Sequence, residues 1–175
     1  MMPVPTHLRS IAVARNVTPN GEPLCADLRC PCGGSMFQLL YPGQTHEYAG
    51  ELVPCTAEID GCYFFILKAL CVNCLAQHLL LDVDFHGWDG FVCHDPKQAA
   101  LPRPEVTPWK CLTCAGLAHK MVVHITGEGQ QHFTSEAGES FDKERWPDAF
   151  GWFSLDTTCV ACGRVSTDLV AYETM

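Results

Sequence analysis

The chain has 175 residues, 47% of them hydrophobic, which is enough for one ordinary domain or two small ones and excludes a disordered chain. Eleven Lys and Arg stand against 20 Asp and Glu, and the net charge of −9 argues against binding driven by nucleic-acid phosphates. Twelve cysteines exceed ordinary usage. Because the first residues lack the pattern of a secretion signal, we expect a cytoplasmic protein whose paired cysteines bind metal rather than form disulfides.

Composition divides the chain into four predicted parts. Residues 1–29 are a proline-punctuated lead-in with one short predicted strand, Ser10–Val17. Residues 30–95 form a first unit, and residues 109–175 form a second. Between the units, residues 96–108 contain four prolines and predict an extended linker.

The first unit is predicted to contain two strand pairs. Met36–Tyr41 and Gln44–Tyr48 flank a Pro-Gly turn and predict a hairpin. Further on, the apolar runs Tyr63–Leu70 and Leu75–Phe85 flank a Cys-Val-Asn-Cys turn, as strands on either side of a metal-binding turn would. Within the last strand, Asp82 and Asp84 are predicted to form a solvated edge of the sheet.

The apolar run Cys62–Leu81 has the length of a membrane helix. It contains Lys68, Asn73, Gln77 and His78, whose burial in lipid would cost several kcal/mol. We therefore predict that this run does not span a membrane.

The second unit is predicted to follow the same plan. His119–Thr126 alternates apolar and polar residues and predicts a strand, with Gln130–Ser135 returning beside it. Ser140–Trp146 predicts a short helix. Phe150–Thr157 and Val165–Tyr172 are then predicted as strands on either side of a Cys-Val-Ala-Cys turn. The matching order of motifs in the two units predicts an internal duplication.

Eight of the twelve cysteines form four pairs at turn spacing, two pairs in each unit. Structural zinc needs four soft ligands in a tetrahedron, usually from two short turns. A Cys-x-x-Cys turn presents both sulfurs on one side of the backbone, so two such turns close a cage. We predict two structural Zn²⁺ ions, with iron as the alternative metal because sites of four cysteines accept either. The predicted ligands are Cys30, Cys32, Cys71 and Cys74 in the first unit, and Cys111, Cys114, Cys159 and Cys162 in the second.

These motifs resemble the zinc-ribbon group of proteins, in which one hairpin carries a first cysteine knuckle and a further strand pair carries the second. CPCGG and CLTCAG resemble the first knuckle, and CVNC and CVACG resemble the second. The resemblance covers residues 30–85 and 109–172. It implies a mostly β fold of two tandem zinc-ribbon-like units, each a small antiparallel sheet around a metal site of four cysteines, and it implies no activity.

Two features leave alternatives open. Cys30 and Cys32 are separated by one residue instead of two, so Cys25 is an alternative ligand to Cys30. The remaining cysteines are predicted as buried free thiols, and a third metal site among them is the alternative. The candidates for that site are Cys55, Cys62, Cys93, His86 and His94.

The sequence contains no phosphate-binding loop, dinucleotide-binding fingerprint, nucleophile elbow or metalloprotease motif. A small acidic protein without such motifs is predicted to be a binding module, not an enzyme, whose acidic surface docks a basic protein partner. Nucleic-acid binding is the alternative, and an enzyme that uses a metal or a thiol is a further one. The basic residues available for nucleic acid in the second unit are Lys110, Lys120, Lys143, Arg145 and Arg164.

Overall fold

The computed structural model describes residues 2–15, 23–138 and 140–174 and is mostly β. The strands, in chain order, are β1 (Ala12–Ala14), β2 (Leu24–Leu28), β3 (Phe37–Tyr41), β4 (Thr45–Tyr48), β5 (Glu51–Pro54), β6 (Ala57–Ile59), β7 (Cys62–Phe64), β8 (Ile66–Cys71), β9 (Gln77–Asp82), β10 (Thr107–Pro108), β11 (Ala118–Thr126), β12 (Trp152–Cys159) and β13 (Val165–Glu173). The strand predicted over Ser10–Val17 is formed at Ala12–Ala14, and its end lies outside the described residues.

Helices are short. They comprise the α-helices α1 (Pro96–Ala99) and α2 (Gln130–Glu136), the 3-10 helices Thr6–Leu8 and Lys143–Asp148, and a π-helical turn at Trp88–Val92. The short helix predicted at Ser140–Trp146 is thus formed slightly later in the chain. Among the described residues, no helix combines the length and the apolar character needed to cross a membrane.

Nine strands join in one curled antiparallel sheet that runs through both predicted units. At its centre β3 pairs with β11, at Phe37 opposite His119. One edge of β3 pairs with β8, and the other pairs with β11 and then β10. In the same way, one edge of β11 pairs with β12, and the other pairs with β3 and then β2. The strand β2, which precedes the first unit's first cysteine pair, therefore pairs with the second unit. In turn β10, which precedes the second unit's first cysteine pair, pairs with the first unit.

Both predicted hairpins were wrong, although the strand predicted at Gln44–Tyr48 is formed as β4, because the edges of β3 and β11 are occupied. The strand after the Pro-Gly turn, β4, pairs with β5 instead of returning along β3. The segment predicted as a strand at Gln130–Ser135 is the helix α2, whose Phe133 is buried against Phe91 and Phe141. Since β3 and β11 each have both edges occupied, neither has a free edge for a returning strand.

One hydrophobic core also draws on both units. Leu8 and Ile11 from the N-terminal segment, Phe37 and Leu67 from the first unit and Phe153 from the second are among its fully buried side chains. Side chains on one face of a sheet this strongly curled meet around a common interior, so the core is shared rather than divided.

The predicted linker is anchored along its length. Asp95 caps α1 by accepting a hydrogen bond from the Lys97 amide, and β10 pairs with β3. Between them, Arg103 forms ion pairs with Asp82, at 3.7 Å, and with Asp84. The prediction of a solvated edge at these two carboxylates was wrong, because the linker covers them and leaves Asp82 only 6% exposed.

Candidate metal centres and an acidic hairpin surface

All eight predicted cysteine ligands gather into two groups of four, as the spacing predicts. In each group every sulfur lies within 4.8 Å of the others. Site 1 is Cys30, Cys32, Cys71 and Cys74, and site 2 is Cys111, Cys114, Cys159 and Cys162. In both sites the first cysteine of each pair is buried and the second is exposed.

Four tight turns, called knuckles here, hold these cysteines: knuckle A (30–34), knuckle B (71–76), knuckle C (111–116) and knuckle D (159–164). In every knuckle the amide of the first cysteine donates to the carbonyl of the knuckle's last residue, at 2.8–2.9 Å. The residue after the second cysteine donates to the carbonyl of the first, again at 2.8–2.9 Å. These paired hydrogen bonds fix both sulfurs on one side of the turn.

The residue after the second cysteine has a positive φ in all four knuckles. The values are 87° at Gly33, 61° at Leu75, 58° at Ala115 and 74° at Gly163. This left-handed conformation reverses the chain, and glycine adopts it without steric cost. Leu75 and Ala115 adopt it at a cost of order 1–2 kcal/mol, which the rest of the knuckle must offset.

Knuckle A has one residue fewer than the others but closes with the same pair of hydrogen bonds. Cys30 donates to Gly34, and Gly33 donates to Cys30, each at 2.8 Å. The spacing of Cys30 and Cys32 therefore brings both sulfurs to site 1. The alternative ligand, Cys25, lies on β2 opposite His124 and does not join the group.

The spacing of the sulfurs fits a tetrahedral metal ion. The closest contacts between knuckles are 3.5 Å and 3.6 Å in site 1, and 3.6 Å twice in site 2. A Zn–S bond of about 2.3 Å puts tetrahedral sulfurs about 3.8 Å apart. A side chain at Gly34 or Gly116 would crowd the cluster, because an added Cβ would lie 3.0 Å from the Cys71 sulfur or 3.2 Å from the Cys159 sulfur.

The sulfurs of each site differ in acidity. Burial raises the pKa of Cys71 and Cys111, but hydrogen bonds from backbone amides of their own knuckles and from neighbouring sulfurs outweigh it and lower the pKa to about 7 and about 6. Similar amides lower the pKa of Cys30 and Cys114, but burial and the neighbouring sulfurs raise it to about 12. A metal ion bound at either site would favour the thiolate form of all four cysteines, because ligand sulfurs bind in the deprotonated form.

The two sites lie in register across the centre of the sheet. Cys71, Phe37, His119 and Cys159 are neighbours on β8, β3, β11 and β12, and all four are buried. At about 4.8 Å per strand, the α-carbons of the two cysteines are about 14 Å apart. Two buried residues, Phe37 and His119, therefore lie between the two knuckles in the sheet.

Sequence reasoning missed His78, which supports site 1. Its Nε2 lies 3.3 Å from the Cys30 sulfur, and its ring packs edge-on against Phe37. An N–H donated to a ligand sulfur stabilises the thiolate and orients it. The signal was present, since His78 follows Cys74 by four residues, but strand register was needed to show that it points to the sulfurs.

No third metal group forms among the described residues. The Nδ1 of His94 contacts the Asp84 carbonyl at 2.9 Å, and that of His86 accepts from the Asp82 amide at 3.0 Å. Among the candidate thiols, Cys93 is exposed, and Cys55 and Cys62 are only partly buried. The prediction that the four remaining cysteines are buried was therefore wrong, since Cys25 is also only partly buried.

Two short hairpins after β3 present what we call the acidic hairpin surface. In each, acidic residues directly oppose apolar ones: Glu47 with Leu52, Tyr48 with Glu51, and Glu58 with Tyr63. Opposed residues share a face of a hairpin, and successive pairs lie on opposite faces, so both faces of the first hairpin carry an acidic and an apolar side chain. Tyr48 is 67% exposed and Tyr63 is 58% exposed. No Lys or Arg occurs between Arg29 and Lys68, so the hairpins themselves carry acidic side chains and no lysine or arginine of their own.

Arg164 connects this surface to site 2. Its guanidinium forms an ion pair with Glu51 on β5 and donates to the Thr113 hydroxyl in knuckle C at 3.0 Å. Arg145 is likewise paired, with Asp148 at 2.9 Å. Two of the five basic residues predicted as candidates for nucleic-acid binding therefore already form ion pairs with carboxylates.

Comparison of the chain with protein-family models, with curated proteins and with solved structures found no match.

Proposed function

We propose that the protein is a zinc-binding scaffold of two zinc-ribbon-like units that docks a basic partner protein through the acidic hairpin surface. Cys30, Cys32, Cys71 and Cys74 would hold one structural Zn²⁺, and the four cysteines of site 2 would hold the other. Each ion would supply folding energy and no open coordination position, because four thiolates complete the shell. Iron is the alternative occupant.

The observation that carries the docking proposal is the pairing of exposed acidic and apolar side chains on the two hairpins. A lysine or arginine offers both a cationic head and an aliphatic stem, so it matches both halves of such a pair. Tyr48 and Tyr63 add aromatic faces on which a cation is favoured. The ion pairs at Arg145 and Arg164 make the nucleic-acid alternative less favourable.

We also propose that the two units arose by internal duplication. Both follow the order knuckle, central strand, outer strand, knuckle, edge strand. Both outer strands also have a register irregularity beginning four residues before the following cysteine, at Leu67 and at Leu155. An irregularity of this kind is a specific feature of a fold, so its repetition supports common ancestry.

Metal content by mass spectrometry, on protein purified without added metal, tests the scaffold. Two zinc ions per chain are expected, with the thiols of both sites protected from a thiol reagent in the native protein. Two bound iron ions per chain would show that iron, the alternative metal, occupies the sites. Fewer than one metal ion of any kind per chain would overturn the proposal.

A matched charge reversal tests the docking surface. Titration with a lysine-rich peptide should be weakened at least tenfold by Glu47→Lys with Glu58→Lys. Glu128→Lys with Glu173→Lys makes the same change in net charge at exposed positions outside the hairpins and should weaken binding less than threefold. Equal weakening by both pairs of substitutions would show that the peptide is attracted by net charge alone. The hairpin surface would then be ruled out as the docking site. Tighter binding of a DNA oligonucleotide than of the peptide would favour the alternative function.

A further inference from the structure

We propose that a cavity between the N-terminal segment and the 3-10 helix Lys143–Asp148 binds a small organic anion, a carboxylate or phosphate ester carried on an apolar body. We call it the histidine cavity. It has a volume of about 670 Å³, and its lining includes His7, His86, Phe91, Phe141, Arg145 and Asp148. Ligand pockets of proteins commonly measure about 300–1,000 Å³, so the space suits a small organic molecule.

Arg145 is held in place to receive an anion. Its Nε and one terminal nitrogen each lie 2.9 Å from Oδ2 of Asp148, and its guanidinium stacks on Phe91 at 4.5 Å from the ring centre. A guanidinium has five N–H donors, and this geometry uses two of them. A guanidinium fixed by a carboxylate and an aromatic ring loses little entropy on binding an oxyanion.

Asp148 does not compete for that role. Its side chain is 6% exposed and accepts hydrogen bonds from the Thr6 amide at 2.6 Å and the Thr6 hydroxyl at 3.0 Å, besides the contacts from Arg145. Three of these four donors lie at Oδ2 and one at Oδ1, so little of the acceptor capacity of the carboxylate is left. Most of the unused hydrogen-bonding capacity of the ion pair is therefore on the guanidinium, which favours an anion over a cation.

Two stacked histidines supply a defined donor and acceptor. The rings of His7 and His86 lie 3.6 Å apart and within 9° of parallel. The Nε2 of His7 lies 3.1 Å from the Leu80 carbonyl, which can only accept, so in the neutral ring that nitrogen carries the proton and Nδ1 is a free acceptor. The Asp82 amide donates to Nδ1 of His86, so its Nε2 carries the proton and is a free donor.

Both imidazoles are neutral near pH 7. Burial lowers the pKa of His7, and burial with the adjacent His7 ring lowers that of His86 to about 3. Both rings line the cavity, and neither of the two free ring nitrogens has a hydrogen-bond partner among the described residues. The donors of Arg145 and His86 would receive the anion, Nδ1 of His7 would accept from a hydroxyl of the ligand, and the phenyl rings would contact the apolar body.

Calorimetric titration of the zinc-loaded protein with benzoate and with phenyl phosphate tests the proposal. At least one should bind with a 1:1 stoichiometry, tenfold or more tighter than benzamide and benzylamine, which have similar size without the negative charge. The tighter of the two anions identifies the group that the site prefers. Binding of benzylamine as tight as that of both anions, or no saturation by either anion at millimolar concentration, would overturn the proposal.

A matched pair of arginine variants locates the site. Arg145→Gln should weaken the anion at least tenfold, as expected for the loss of a charged hydrogen bond. The control is Arg15→Gln, because Arg15 is also paired with an aspartate, Asp27, but does not line the cavity. This substitution should change affinity less than twofold. Equal affinity in folded Arg145→Gln and wild type would refute the assignment.

Because Arg145→Gln leaves a buried carboxylate without its cation and is expected to reduce folding stability, a second measurement uses the wild type. The imidazole nitrogen resonances of His7 and His86 should shift on addition of the anion, while those of His124, paired with Asp156 elsewhere, should not. Saturable anion binding that leaves the His7 and His86 resonances unmoved would place the ligand outside the histidine cavity and contradict the proposal.

Discussion

At the scale of single residues, buried titratable groups in this protein are paired with fixed partners. His7 and His86 are neutral and stacked, Asp148 is contacted by four donors from Thr6 and Arg145, and Asp82 and Asp84 share one arginine. Burying a polar or charged group without such partners costs several kcal/mol. Substitutions at these positions should therefore change stability more than substitutions at the exposed acidic residues.

The stacked histidines predict an acid-sensitive stability. The pKa of His86 is lowered to about 3 in the folded protein, by burial and by His7, from about 6.5 when unfolded. Between these pH values the unfolded chain binds more protons at His86 than the folded protein does. The free energy of unfolding is therefore not reduced by this group above pH 6.5, and it falls as the pH decreases towards 3. The slope from this group is at most about 1.4 kcal/mol per pH unit.

Chemical unfolding from about pH 7.5 to about pH 4.5 measures this slope. His86→Gln should have a shallower dependence than wild type, while His46→Gln, at an exposed strand position, should match wild type. Loss of metal at low pH lowers stability in all three proteins, so the difference between slopes is the relevant quantity. Identical slopes for wild type and His86→Gln would show that this ring does not contribute.

Arg103 should be the most sensitive residue of the predicted linker. Arg103→Ala would leave Asp82 and Asp84, each with a side chain about 8% exposed, without their cation. Removing one partner of a buried ion pair costs about 3–5 kcal/mol. We expect a loss in this range by urea unfolding, against less than about 0.5 kcal/mol for Lys97→Ala in the exposed first turn of α1. A similar small loss for both variants would contradict the anchored linker.

At the scale of elements, the knuckle is the unit that makes the metal centre. Its two backbone hydrogen bonds and the left-handed residue after the second cysteine recur four times, with glycine, leucine or alanine at that position. The metal-binding geometry is thus set by backbone conformation more than by the identities of the residues around the cysteines.

A glycine next to each cluster should be required for metal affinity. Gly34→Ala places a methyl group 3.0 Å from the buried Cys71 sulfur, and the shift of that sulfur should weaken zinc at least tenfold in a competition with a chelator. Gly33→Ala is the control, because an added Cβ there meets nothing within 4 Å. Its positive φ should reduce folding stability by about 1 kcal/mol with little effect on zinc affinity. Equal zinc affinity in wild type and Gly34→Ala would show that the sulfur accommodates the methyl group.

At the scale of the whole molecule, the two units are joined too closely to be independent domains. They share the central β3–β11 pair and contribute to one core. The strand before the first unit, β2, pairs with the second unit, and β10, before the second unit, pairs with the first. Strands that share a sheet and a core are expected to unfold together. Loss of one metal centre should therefore affect the other.

Cys71→Ser tests this coupling. We expect the variant to lose zinc from both sites and to lose amide-exchange protection in β11 and β12 as well as in β3 and β8, because zinc binding and folding are coupled. Cys93→Ser, at an exposed cysteine outside both sites, should retain two zinc ions and the wild-type melting temperature. Retention of one zinc and full protection of β12 in Cys71→Ser would show that the second unit folds by itself.

The cysteine groups and most of the strands could be predicted from the amino-acid sequence. The spacing of four cysteine pairs indicated which sulfurs meet, because a knuckle is a local structure closed within five or six residues. Strands with clear apolar runs, such as β11 and β13, were predicted within one residue of their observed bounds, whereas the single strand predicted at Tyr63–Leu70 is divided between β7 and β8. Local geometry and local hydrophobic pattern are sufficient for both.

How these parts combine could be seen only in the folded chain. The β3–β11 pair, the anchoring of Arg103, the helix at Gln130–Glu136 and the histidine cavity all depend on contacts between residues far apart in the chain. Whether a strand has a free edge, or a carboxylate reaches a distant arginine, depends on the whole sheet. Local sequence carries no signal for such contacts, because their energies exist only once the chain has brought both partners together.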